Sequence, residues 1–202
     1  MAREYFTKAR DAYRQLLASA EAGSSPPPHE EAALLAQKQL GDCLRRLGEY
    51  QPALEMYSAV LKEKESWLAV QYAAAMTYQQ RGEAGAAKWL ERAIYGGYRL
   101  KSTGKNRIWG WLKLAQVADR AARSNAKYRD TFFEARLNAA RCRYLVGLKS
   151  EGAAREQHFA TAMQNIRSME QLYPDMGGER WKQEFDQLRS QIQKSANLTA
   201  KQ

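Results

Sequence analysis

A stretch of this chain reads twice at an offset of 34 residues, with Gly41, Leu44, Gly48 and Ala53 aligned on Ala75, Tyr78, Gly82 and Ala87. That period is the length of a helix–turn–helix unit whose apolar face is covered only by the next unit. It directs the chain toward an all-α fold, a right-handed α-solenoid of about nine helices. Arrays of this kind usually bind other molecules rather than transform them. No segment alternates with a period of two over a useful length, so no sheet is expected.

The apolar spacing and the chain breakers set the expected helices. A first helix runs from about residue 3 to 20, with Phe6, Ala9, Tyr13, Leu16 and Leu17 on one face. It stops at Gly23-Ser24-Ser25-Pro26-Pro27-Pro28, which no helix can traverse. A second helix, about 29–47, ends at Gly48, which suits a left-handed cap. Pro52 fits the first turn of a third, where its missing N–H costs nothing. Ser66 is expected to cap a fourth that closes at Gly82, and a fifth runs from Ala84 to Tyr95. A loop over 96–106, reading GGYRLKSTGKN, separates these from helices of roughly 107–123, 127–147, 153–173 and 179–195.

At these positions the chain resembles the tetratricopeptide repeat family. Leu40-Gly41, Leu44, Gly48, Tyr50, Ala53 and Tyr57 match the family's unit, with Gln37 in place of its Trp and Val60 in place of its second Ala. A second unit matches through Ala74-Ala75, Tyr78 and Gly82, then Ala86, Leu90 and Ala93. A third starts at Trp111, Leu114, Ala115 and Ala118, followed by Tyr128, Phe132 and Ala135. The resemblance is good over 34–95 and loose over 107–195, and both closing prolines are missing. The expected domain is single and spans 1–202: an N-terminal helix to 22, two repeats over 29–95, degenerate repeats over 107–173, and a capping helix at 179–195. That last helix should bury Trp181 and Phe185 and show Lys182, Asp186 and Arg189 to solvent.

Two pairings of the later helices are open. Strict alternation pairs 107–123 with 127–147 and 153–173 with 179–195; its short loops favour it. The alternative pairs 127–147 with 153–173, burying Ala135, Ala139 and Cys142 against Ala162, Ile166 and Met169. The choice decides whether 127–147 lines the concave or the convex face.

The resemblance implies a groove lined by the first helix of each unit. Lys38, Asp42 and Arg45 would come from the first unit, Tyr72, Met76 and Gln79 from the second, and Trp109, Leu112, Gln116 and Arg120 from the third. Aromatic, soft apolar and charged groups together suit an extended peptide or a partner helix. One subset of the family grips a C-terminal carboxylate with Lys and Asn. Lys38 matches its Lys, but Asp42 and Ala73 stand where the asparagines are expected, and Asp42 would repel a carboxylate.

The net charge of +10 is uneven. Residues 99–143 carry 12 Lys/Arg against Asp119, Asp130 and Glu134, whereas residues 1–98 are balanced at 12 and 12. Arg129, Arg136 and Arg143 recur every seven residues and form one helical stripe that drifts about 20° per step. Lys113 and Arg120 do the same on the preceding helix, and Arg99, Lys101, Lys105 and Arg107 add charge from the loop. Tyr98, Trp109 and Tyr128 lie near them in sequence. Such a set can hold phosphates and stack bases, meet an acidic protein, or serve only as a solvated face.

Nothing in the sequence points to catalysis. The loop lacks GxxxxGK[ST] and leaves a helix rather than a strand. His29 and His158 lack metalloprotease spacing and a triad neighbourhood. Cys43 and Cys142, without CxxC, read as small buried residues, and no cofactor or metal is expected. Neither a secretory signal nor a 20-residue apolar run is present, which points to a soluble, cytoplasmic protein or a segment of a larger one. The expected function is a non-enzymatic protein-interaction scaffold that binds through the groove or the basic face. The alternative is an adaptor for nucleic acid or another polyanion using 99–143. The proline linker would also allow the first helix to dock on a second copy of the chain.

Overall fold

The computed structural model describes residues 2–22, 30–99 and 104–199; the proline linker, His29 and Lys101 lie outside the described residues. The described chain is all-helical, with α1 (Ala2–Glu21), α2 (Glu30–Arg46), α3 (Tyr50–Glu63), α4 (Leu68–Glu83), α5 (Ala87–Tyr95), α6 (Trp111–Ala122), α7 (Arg129–Leu148), α8 (Gly152–Leu172) and α9 (Glu179–Thr199). A single 3₁₀ turn at Ala126–Tyr128 leads into α7. No described helix is long and apolar enough to cross a membrane.

Each helix from α1 to α4 packs on its neighbours in sequence, as short connections require. The α2–α3 turn is a Schellman cap. Gly48 sits at φ +82°, and the Glu49 and Gly48 N–H groups donate to Leu44 O at 2.9 Å and Arg45 O at 3.1 Å. Pro52 lies in the first turn of α3, as expected. Ser66 makes no cap; Trp67 is the N-cap residue of α4 and supplies no side-chain bond. α4 closes one residue past Gly82, at Glu83, and Leu90 of α5 packs against that glycine. α1 docks on its own chain: Arg10 reaches Glu49 at 2.7 Å, and the Arg46 guanidinium lies over Phe6.

Between α5 and α6 the expected loop and first helical turn are replaced by a small antiparallel ribbon. β1 (Gly97–Arg99) pairs with β2 (Asn106–Ile108) in the register Gly97↔Ile108 and Arg99↔Asn106. The missing side chains at its base explain it. A Cβ on Gly96 (φ +97°) would lie 2.4 Å from Ile108 O, and one on Gly110 would lie 2.2 Å from Ile94 O. The backbones touch directly, so residues 107–108 extend along β1 and α6 begins only at Trp111.

α7 decides the second half. It packs against α5, α6, α8 and α9, and it buries Phe132, Phe133, Ala135, Leu137, Asn138, Ala139, Ala140, Cys142, Val146 and Gly147. Along α8 it meets Phe159, Ala162, Ile166 and Met169, all at most 4% exposed. Of the two pairings, α7 with α8 describes the second half better, although α7 also lies along α6. α7 further runs parallel to α4, since Tyr72 meets Glu134 and Gln79 accepts the Cys142 thiol at 3.4 Å. α9 closes the end with Trp181 and Phe185 buried and Lys182 exposed. Asp186 and Arg189 are half-buried, with Arg189 paired to Glu170 and Asp186.

Candidate functional site

A cleft of about 800 Å³ lies between α2, the start of α4 and the start of α7. Lys38, Asp42 and Arg45 form one wall, spaced so that they share one face of α2. Trp67, Ala69, Tyr72 and Ala73 form the floor. Lys127, Tyr128, Thr131 and Glu134 form the far wall.

Its charges are fixed by internal bonds. Lys38 Nζ lies 2.6 Å from Asp42 Oδ2, and the buried Tyr57 hydroxyl donates to Asp42 Oδ1 at 2.7 Å. Tyr72 donates to Glu134 and stands edge-on to Trp111 at 5.4 Å between centroids. Burial raises the Tyr57 and Tyr72 hydroxyls above the ordinary tyrosine range, and the carboxylates of Asp42 and Glu134 add to this. Both tyrosines therefore stay protonated donors. Arg45 is different: Nη1 reaches Gln80 at 3.3 Å, but its buried Nε has no hydrogen-bond partner.

The structure separates the groove candidates. Lys38, Asp42, Arg45 and Tyr72 meet in this cleft. Gln79 does not: it is 4% exposed and accepts from the Trp111 indole at 2.9 Å, so it belongs to the core. Met76 is half-buried against the core. Trp109 lines a second cleft of about 670 Å³ with Tyr95, Lys105, Asn106, Lys113, Val117 and Glu65. Gln116 and Leu112 line a third, of about 250 Å³, with Asp119, Phe132, Arg136, Met169 and Tyr173. The cause lies in both α6 and α7: Trp111 of α6 takes up Gln79, and Glu134 of α7 reaches Tyr72. Lys127, Tyr128, Thr131 and Glu134 were not legible as groove residues because they lie on the helix that strict alternation makes convex.

The arginine stripe of α7 is not an exposed row. Arg129 is exposed but paired with Asp175 at 2.5 Å. Arg136 is half-buried between α6 and α8, its Nε donating to Met169 Sδ at 3.1 Å. Burial and the nearby Arg143 lower its basicity. Arg143 is half-buried under Tyr95, 5.6 Å from the ring centroid, with a buried Nε lacking a partner. α7 packs against four helices, and the stripe is largely covered by them. The other basic residues sit near the ribbon and α6. Arg99 donates to Gly104 O at 3.0 Å, Arg107 to Ser58 Oγ at 3.3 Å, and Lys113 to Gln116 at 3.1 Å, while Lys105 and Arg120 are exposed.

The residue that builds the second cleft carries no sequence signal. Gln71 is fully buried; its amide donates to Glu65 O at 2.8 Å and Arg107 O at 2.9 Å, and its oxygen accepts from the Trp109 N–H at 2.8 Å. One side chain of α4 thus clamps β2 and sets Trp109. Cys43 and Cys142 are buried free thiols, and burial raises both thiols above the ordinary range. Comparison with family models, with curated proteins and with solved structures finds no match for this chain.

Proposed function

We propose that this chain is a non-enzymatic interaction scaffold of tetratricopeptide-like helical repeats, which holds an extended peptide of a protein partner in the cleft of α2, α4 and α7. The observation that supports this most is the cleft's mixed, preformed lining. Trp67, Tyr72, Ala69 and Ala73 offer an apolar floor, and Arg45, Lys127 and Glu134 stand over it. Lys38, Asp42, Tyr72 and Glu134 are held by bonds that exist before any ligand arrives, so little ordering of them is needed on binding. Arg45, which lines the cleft, would take an acidic side chain. Asp42, occupied by Lys38 and Tyr57, disfavours a C-terminal carboxylate at the position the family's clamp uses.

The test is selection of peptides from a random displayed library on the immobilised chain, followed by titration calorimetry of the selected peptides. The expected peptides carry an acidic residue near an aromatic or aliphatic one, and Arg45→Gln and Trp67→Ala weaken them about tenfold or more, the loss expected of a central anchor. Arg129→Gln, outside the cleft, leaves them unchanged. Peptides that bind all of these variants alike would end this reading.

A further inference from the structure

The third cleft, of about 250 Å³, lies where α6, α7 and α8 meet. It is smaller than the roughly 300–1,000 Å³ of a pocket that encloses a small ligand, so it suits one or two side chains of a larger partner. Arg136 of α7 shares its lining with Leu112 of α6, Phe132 of α7 and Leu172 of α8. Leu172, in the last turn of α8, is 69% exposed.

The charge of Arg136 is not matched from within. Among the described residues it has no carboxylate partner; its one hydrogen bond runs from Nε to the Met169 sulfur, a weak acceptor. Its two Nη atoms make no hydrogen bond with a described residue and are not enclosed, so a group entering the cleft reaches them. Half-buried arginines elsewhere, Arg10, Arg141 and Arg189, face the carboxylates of Glu49, Glu184 and Glu170. The one described carboxylate lining this cleft is Asp119. It is engaged by Arg123 at 3.3 Å and by the Tyr173 hydroxyl, which donates to it at 3.2 Å. Holding a guanidinium partly out of water without a counter-charge is unfavourable, and a carboxylate entering the cleft relieves it. Lys113, bonded only to the neutral Gln116 amide, and the exposed Arg120 stand one turn to either side of Gln116 on α6. They make the approach to the cleft basic, which favours encounter with an acidic partner.

We propose that this cleft docks an acidic, aliphatic segment of a protein partner, its carboxylate on Arg136 and a leucine-like side chain against Leu172 and Leu112. A single-stranded nucleic acid would use the cations but finds no free ring to stack on. Phe132 is buried, and Tyr173 packs on Phe132 and Phe133 at 5.0 and 5.6 Å between centroids. The site is independent of the α2–α4–α7 cleft. By helical spacing, Phe132 and Arg136 lie on a different face of α7 from Thr131 and Glu134, so segments held in the two clefts do not compete.

The experiment is fluorescence anisotropy of a labelled, amidated peptide that repeats Glu-Leu-Leu-Glu and so presents a carboxylate beside a leucine in either chain direction. It is titrated with the full chain carrying Arg45→Gln, which keeps the first cleft from masking the result. Replacing every Glu of the peptide by Gln should weaken binding about tenfold or more, the scale of a bond to a charged group. Arg136→Met should weaken it as much, and Leu172→Ser about fivefold, the scale of a partly buried leucine. Leu172→Ser, at an exposed position, reads the site without touching the core. Arg136→Met should leave the urea midpoint unchanged or raise it, since the guanidinium has no counter-charge to lose. Lys8→Gln, on α1 and paired to Glu4, is the control that should change nothing. Absence of binding overturns the proposal, as does binding that Arg136→Met or Leu172→Ser leaves intact. So does a lower urea midpoint for Arg136→Met, which would mean that the fold itself satisfies the charge. An oligouridylate that competes as well as the unlabelled peptide would also overturn it and assign the surface to nucleic acid.

Discussion

Replacing Gln71 by Met tests how one buried amide organises the centre of the molecule. Methionine keeps the length and the unbranched shape, so packing changes little. Three hydrogen bonds disappear together: two donated to Glu65 O and Arg107 O, and one accepted from the Trp109 N–H. At a net value of about 1 kcal/mol for each bond, the loss is roughly 3 kcal/mol, and backbone groups left dry push it higher. For a chain of this length that corresponds to a fall in melting temperature of about 6–12 °C. Urea unfolding followed by tryptophan fluorescence measures the first quantity and calorimetry the second. Hydrogen exchange adds a local readout, because the Trp109 amide should lose protection while amides in α2 and α3 keep theirs at matched stability. A loss below about 1 kcal/mol with Trp109 still protected would refute the clamp, since it would mean that water replaces the three bonds without cost.

Three further outcomes follow from particular contacts. Gly82→Ala should destabilise by about 1–2 kcal/mol despite the better helix propensity of alanine, because its Cβ would lie 2.6 Å from the Leu90 side chain and 2.7 Å from its backbone N; an equal or higher urea midpoint would contradict this packing. Tyr57→Phe removes the 2.7 Å bond to the Asp42 carboxylate and should cost about 1.5–2 kcal/mol, with a loss under roughly 0.5 speaking against a role for that bond. Burial holds protons on Cys142, Tyr57, Tyr72 and Tyr78 past the pH at which an unfolded chain releases them. The folded state therefore binds more protons, so the contribution is complete below about pH 8.5 and is lost as pH rises through the alkaline range. Urea midpoints measured from neutral pH to about pH 10.5 should fall, and both thiols should resist a thiol reagent until the chain unfolds; a rising midpoint or fast native labelling would reverse the assignment.

The sequence by itself determined the helices. Apolar spacing in α2, α3, α8 and α9, the left-handed cap at Gly48, and Pro52 in a first turn are all local: each rests on residues within one or two turns of one another. The 34-residue offset likewise anticipated that α2–α3 and α4–α5 pair, and the groove that the tetratricopeptide resemblance implied named Lys38, Asp42, Arg45 and Tyr72, which meet in one cleft. Only the tertiary structure decided where the later helices lie. Gly96 and Gly110 allow two backbones to touch, which pairs residues 97–99 with 106–108 in a ribbon where a loop and a helical start were expected. α7 packs against α5, α6, α8 and α9, which buries much of Arg136 and Arg143 and carries Glu134 to Tyr72, while Trp111 of α6 takes Gln79 into the core. Helical spacing records that a side chain shares a face with its neighbours three and four residues away. It does not record which distant helix covers that face, and for α7, packed against four helices, that difference separates a solvated arginine stripe from a largely covered one.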